Sequence, residues 1–295
     1  MLTVEKAFEK YKAYMIRCNY TKVTIETKEG AMNRFYLWLQ NRHDNQLNDL
    51  RGVSCEDCTE YMDFLFLGGI QAYTIKIYMA HLKSFFNFLY KHDHIVSDPT
   101  RKLPFIKIPK KEVVYIPHDE IIRTVKDIFT NFIKYGRYKV VMRNYFIIRC
   151  AYSTGWRASE ALSCEVSNIN WDTGEIYLPR RKGGKDGVVY LDKETARELK
   201  EWYFSNYPNG EYLWYSEVGN RLSYESYNAV FIKYFGKSSH RVRAGLATYL
   251  ISQDVGIKDV ADILGHENVS TTMRYAASIK TRIKDIHSQK NPFAN

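Results

Sequence analysis

Ile257-Lys-Asp-Val-Ala-Asp-Ile-Leu264-Gly265-His266-Glu-Asn-Val-Ser-Thr-Thr-Met-Arg-Tyr275 reads as an apolar helical face, a glycine stop and a second, polar helical segment. Ile257, Val260, Ala261 and Leu264 recur at helical spacing, and Gly265 follows as a C-terminal cap. A histidine just past such a cap, His266, can point out of the packed layer into a groove. Tyr275 is one of 24 tyrosines. A phenol of pKa about 10 attacks poorly at neutral pH and needs cationic neighbours and a proton acceptor.

Those partners stand upstream. Ser-His-Arg-Val-Arg-Ala places His240 and Arg243 at i and i+3, on one face if a helix starts there. Thr154-Gly155-Trp156-Arg157 puts Arg157 beside a break between helical runs. Two guanidinium groups suit the non-bridging oxygens of a phosphodiester under in-line attack, being always charged and forked for two oxygens. An imidazole can take the nucleophile's proton or hydrogen-bond the phosphate. The departing sugar oxygen needs a proton, and Lys182 in Pro-Arg-Arg-Lys-Gly-Gly-Lys-Asp-Gly is the candidate donor, with Lys185 as its rival. Taken singly, each also reads as a surface Arg, a helix-end His or a phosphate-contacting Lys.

The chain has 295 residues and a formal net charge of +10. Residues 1–110 hold 16 Lys and Arg against 12 Asp and Glu, leaving 27 against 21 for the remainder. An excess shared by both halves fits a polyanion gripped from two sides. There is no apolar run of about 20 residues, as a membrane span requires. The acidic, amphipathic start is unlike a signal peptide, and five cysteines point to free thiols, so the expected home is the cytoplasm. Cys55 and Cys58 form a lone Cys-x-x-Cys, read as two thiols on a helix face. No phosphate-binding Gly-x-x-x-x-Gly-Lys-Ser/Thr loop and no carboxylate cluster accompany the constellation, so neither cofactor nor metal is expected.

Helical stripes fill residues 1–100: Val4, Ala7, Phe8, Tyr11 and Met15; Met32, Phe35, Tyr36 and Leu39; and Ile75 to Leu89, with Thr74 as N-cap. Pro99, Pro104, Pro109 and Pro117, with Arg101, Lys102, Lys107, Lys110 and Lys111, make 101–117 a basic, extended linker. Residues 118–163 are again helical, interrupted at Gly155. Asp172–Gly174 is a turn between helix and strand, Glu175–Leu178 a strand and Val188–Leu191 a second one. From Lys193 onward the pattern is mostly helical. The fold class is mainly α with a small antiparallel β-sheet.

Together these segments resemble the tyrosine recombinase (phage integrase) family. Its first Arg box is similar to Thr154–Leu162, its β-hairpin Lys box to Lys182–Asp186, its His-x-x-Arg box to His240–Arg243, and its Leu-Gly-His with a following Tyr to Leu264–His266 and Tyr275. The resemblance spans nearly the whole chain. It implies six catalytic positions, Arg157, Lys182, His240, Arg243, His266 and Tyr275. It also implies a two-domain architecture: a helical core DNA-binding domain over 1–100, the linker 101–117, a mixed α/β catalytic domain over 118–278, and a tail over 279–295 for protomer contacts. In that tail Ile279, Ile283 and Ile286 form a sparse apolar stripe.

The implied activity is metal- and ATP-independent cleavage and rejoining of DNA through a covalent 3′-phosphotyrosyl intermediate, integrating or excising a mobile genetic element. Its partner is double-stranded DNA with paired recombination sites, bound by a tetramer in a C-shaped clamp. Ala244, Trp156 and Gly187 depart from the family's common residues, which bears on subfamily. Two other functions fit parts of the pattern. A type IB topoisomerase-like enzyme shares the chemistry, and a helix-turn-helix regulator would use Gly256–Tyr275 without Arg157 or the His240–Arg243 pair.

Overall fold

The computed structural model describes residues 2–43, 49–108, 113–131, 138–179 and 186–277. The chain divides into two compact units, Met1–Lys110 and Lys111–Asn295.

The first unit is helical. Helices α1 (Val4–Arg17), α2 (Lys22–Arg42), α3 (Cys55–Leu67) and α4 (Ala72–Lys91) surround one aromatic-rich core. Side-chain caps start three of them. Thr3 accepts from the Lys6 amide, Thr21 accepts from the Thr24 amide, and Ser54 and Asp57 form a reciprocal capping box. Helix α4 begins on Gln71, which makes no side-chain cap bond, so the expected cap at Thr74 lies inside the helix instead. The helix is held by packing along its length: Ile75, Met79, Leu82, Phe85, Phe86 and Leu89 are all buried. Burial pushes the Asp57 carboxyl up, but hydrogen bonds from Ser54, His43 and Arg42 overcome this and hold it at about 2. Cys55 and Cys58 lie on α3, Cys58 buried and Cys55 half-buried. Leu103 and Ile106, from the proline-rich stretch, pack on this core.

The second unit is mainly α with a two-stranded antiparallel sheet. Its centre is α6 (Tyr138–Thr154), an element buried along most of its length because α5 (His118–Asn131), α8 (Lys193–Asn206), α9 (Tyr224–Phe235) and α10 (Ser239–Ser252) pack around it. The short α7 (Ala158–Ser163) follows and packs on α9. Strands β1 (Glu175–Leu178) and β2 (Gly187–Tyr190) pair with Ile176 opposite Val189. Alternation buries Ile176, Leu178 and Val189 while Tyr177, Val188 and Tyr190 face solvent. The second strand ends one residue short of expectation. The Leu191 amide still donates in register to the Gly174 carbonyl, 2.8 Å away, one step past the end of the strand.

Helices α10, α11 (Ile257–Leu264) and α12 (Val269–Ala277) close a smaller core of their own. It contains Ala244, Leu246, Ala247, Ile251, Val260, Leu264 and Tyr275, with Val113 and Tyr115 against it. Ile116 is fully buried and its amide donates to the Arg241 carbonyl at 3.1 Å. The end of the proline-rich stretch is thereby fastened to α10. No helix among the described residues is long and apolar enough to cross a membrane.

Candidate active site

Three chain reversals meet in the second unit, and each presents a charged or aromatic side chain. Helix α6 ends at Thr154, and Gly155 takes φ +59°, the left-handed region where a side chain is strained. A Cβ there would also lie 2.7 Å from both Leu246 Cδ2 and Leu264 Cδ2. Glycine lets α6 terminate against α10 and α11, and its carbonyl then faces Arg243. Helix α11 ends on Gly265, also left-handed at φ +62°, whose amide closes on the Asp262 carbonyl. Helix α10 begins at Ser239, so His240 and Arg243 fall within its first turns.

Arg243 is the buried keystone, 2 % exposed. Its two terminal nitrogens donate to the carbonyls of Gly155 and of Leu264, the latter at 2.6 Å. One guanidinium thus joins the C-terminal ends of α6 and α11, satisfying helix-end carbonyls and placing a cation at the negative end of each helix. Arg157 does the same from the other side. Its Nη2 donates to the Gly265 carbonyl at 2.9 Å, while Nη1 meets Glu160 Oε1 at 2.7 Å. The other Glu160 oxygen accepts the Arg157 amide at 2.7 Å. Glu160 is itself buried and so acts as a rigid clamp.

These groups border a cleft of about 620 Å³, whose wall includes Trp156, Arg157, Tyr224, His240, Arg243 and His266. Four of the six expected catalytic residues therefore share one cavity wall. Burial lowers the pKa of His240, and Arg243, Arg241 and Arg157 lower it further. A lowered pKa favours the neutral imidazole, the form that is able to accept a proton. His266 Nδ1 lies 2.8 Å from Thr272 Oγ1 on α12.

Tyr275 is placed differently. It is 4 % exposed, packs in the α10–α12 core and is not part of the cleft wall. Its ring lies nearly parallel to that of His266, with centroids 6.2 Å apart. Burial raises its pKa, against an opposing pull from Arg243, Arg241, Arg274 and Arg157. The phenol is thus adjacent to the cationic set yet buried and protonated. Lys182 and Lys185 lie outside the described residues, as do Ile279, Ile283 and Ile286.

Two contributors went unread in the sequence. Glu160 sits at i+3 from Arg157, a spacing that marks an ion pair on a helix. Thr272, fully buried, stands in a Ser-Thr-Thr run where nothing singles out one hydroxyl from the others.

A left-handed glycine between helices, two arginines locked on helix-end carbonyls, two histidines on one cavity wall and a tyrosine close by define a site built for a phosphodiester. The chain belongs to the phage integrase family, the tyrosine recombinases, whose model matches residues 123–282. Site-specific recombinase activity on DNA follows from that membership. The chain is 25 % identical over 284 residues to the TnP I resolvase of Bacillus thuringiensis, covering 94 % of this chain and 97 % of that protein. It is 24 % identical over 310 residues to tyrosine recombinase XerC of Staphylococcus saprophyticus, covering 100 % and 95 %. Among solved structures, XerH site-specific recombinase bound to a palindromic difH substrate in a post-cleavage complex is similar in fold. Its TM-score is 0.70 at 20 % identity, covering 90 % of this chain and 79 % of that one.

Proposed function

We propose that this chain cleaves and rejoins DNA through a covalent bond between Tyr275 and a 3′-phosphate, leaving a free 5′-hydroxyl. The observation that carries this reading is the convergence of Arg157 and Arg243 on one cleft, each fixed by backbone carbonyls, with Tyr275 behind His266. Fixed guanidinium groups stabilise the charge that develops on phosphorus-bound oxygens without reorganising as it forms. The ester conserves the energy of the broken bond, so resealing needs no nucleotide. The two cations also supply the charge that a metal would otherwise bring.

In this reading His240 accepts the phenol's proton, and Lys182 protonates the leaving 5′-oxygen. Because Tyr275 is buried, attack requires α12 to shift so that the phenol enters the cleft. The chain acts as a tetramer on paired sites, with the tail after Tyr275 docking on a neighbour. Its biological setting is integration or excision of a mobile genetic element, in line with its likeness to a protein named as a resolvase. The first unit and the basic linker hold the duplex.

The test is incubation with a nicked suicide duplex drawn from sequences that the protein selects out of a random library. A denaturant-stable protein–DNA adduct is expected from the native chain, in the presence of chelator, and none from Tyr275→Phe. An adduct with Tyr275→Phe, or cleavage that requires added Mg²⁺, defeats the proposal. A 5′-bridging phosphorothiolate should rescue Lys182→Ala but not Arg157→Ala.

A further inference from the structure

We infer that Thr272 is a positioning residue that fixes the tautomer of His266, so that its imidazole presents an N–H donor rather than a lone pair to the cleft. The inference deepens the recombinase reading and rests on it for the identity of the ligand, a phosphodiester oxygen.

Thr272 is fully buried, at 0 % exposure, on the inner face of α12. Its hydroxyl meets a single polar partner among the described residues, His266 Nδ1 at 2.8 Å. The hydrogen of that bond can belong to either atom, and burial decides which. Were Nδ1 protonated, it would donate to Oγ1, and the hydroxyl's own proton would point into a buried interior with no other acceptor among the described residues. A buried donor left without an acceptor is disfavoured more than an oxygen with a spare lone pair. The hydroxyl therefore donates and Nδ1 accepts. With Nδ1 accepting, the ring proton lies on Nε2, the second nitrogen of a ring that lines the cleft.

Placement adds a second consequence. Thr272 and Tyr275 are three residues apart on α12, one turn of the same helix face, and both are buried. The helix that carries the phenol also holds the imidazole. Movement of α12 that brings Tyr275 to the cleft therefore acts on the Thr272–His266 bond as well, so nucleophile position and His266 orientation are coupled. An imidazole fixed as an Nε2–H donor suits a phosphate oxygen, and it leaves proton acceptance to His240.

The experiment uses the full-length protein labelled with ¹⁵N at histidine, with the His266 signals assigned from His266→Gln. The tautomer is read from its ring nitrogen shifts. The native chain should show His266 as the Nε2–H form, Thr272→Ser should keep it, and Thr272→Val, which retains the volume, should give a mixture. Cleavage of the self-selected nicked duplex should stay near native in Thr272→Ser. It should slow on the order of tenfold in Thr272→Val, with duplex binding unchanged.

A native His266 protonated on Nδ1, or a Thr272→Val protein with unaltered tautomer and cleavage rate, overturns the inference. Loss in Thr272→Val without rescue by serine also overturns it, since packing alone would then explain the effect. Should the valine variant fail to fold, the native and serine spectra still decide. A native protein that never forms the Tyr275 adduct defeats the recombinase reading, whereas the tautomer measurement stands apart from it.

Discussion

The Arg157 guanidinium donates to the carbonyl of Gly265 at 2.9 Å, joining the start of α7 to the end of α11 across 108 residues of sequence. That bond exists because Gly265 is left-handed and turns its carbonyl out of the helix. The site is thus assembled from backbone at helix ends as much as from side chains, and several consequences can be measured.

Gly155→Ala should destabilise the second unit well beyond the intrinsic cost of about 1–2 kcal/mol for a non-glycine residue in the left-handed region. The added methyl would sit 2.7 Å from two leucine side chains. Urea denaturation of the variant should show a lower midpoint with little change in slope. A midpoint equal to the native value would mean that α10 and α11 can retreat freely, against the packing described above.

Arg243→Lys should fail to replace arginine. A lysine offers a single ammonium where two carbonyls, of Gly155 and Leu264, now share one forked group. Leaving a buried carbonyl unpaired costs about 1–3 kcal/mol. The variant should therefore lose both stability and adduct formation, monitored by thermal melting and by the suicide-substrate assay. Full adduct yield from the lysine variant would show that charge alone suffices.

Glu160→Gln keeps the shape of the clamp on Arg157 while removing its charge. The single remaining oxygen can still accept from the Arg157 amide, but the side-chain NH2 then faces Nη1 donor to donor and that bond is lost. Cleavage should slow and the melting temperature should fall, and Glu160→Ala, which loses both acceptors, should be worse on both counts. Unchanged cleavage in both variants would show that the Gly265 carbonyl positions Arg157 without help.

His240 sets the acid side of the pH dependence. Burial and the neighbouring Arg243, Arg241 and Arg157 hold its pKa below the ordinary value of about 6.5, so the proton-accepting form persists to a lower pH than in a free histidine. The acid limb of the cleavage rate should therefore have its midpoint below that ordinary value. His240→Gln should be slower throughout and should lose this acid limb. An acid limb surviving in the glutamine variant would assign the proton acceptor to another group.

Much of this was legible in the chain itself. The helical stripes of residues 1–100 reappear as α1, α2 and α4, and the Glu175 strand starts where alternation places it, because local periodicity alone decides which face is buried. Gly155, Gly265, Arg157, His240, Arg243 and His266 could be named because glycine stops and spaced cations are local signals. Thr74 misled for the same reason. It looks like a cap in isolation, but the helix already runs from Ala72, with Gln71 at the cap position.

Sequence alone determined the helices, the breaks between them and the inventory of charged groups, since each depends on residues within a few positions of one another. Only the tertiary structure decided that Arg243 is buried and doubly bonded, that Glu160 is buried against Arg157 and Thr272 against His266, and that Tyr275 rests inside a core. Those outcomes depend on desolvation and, for the two arginines, on backbone partners 21 to 108 residues away. Neither desolvation nor a distant backbone carbonyl is encoded in a local pattern. A phenol's exposure is set by what packs over it, and the helices that cover Tyr275 take their places only when the chain has folded.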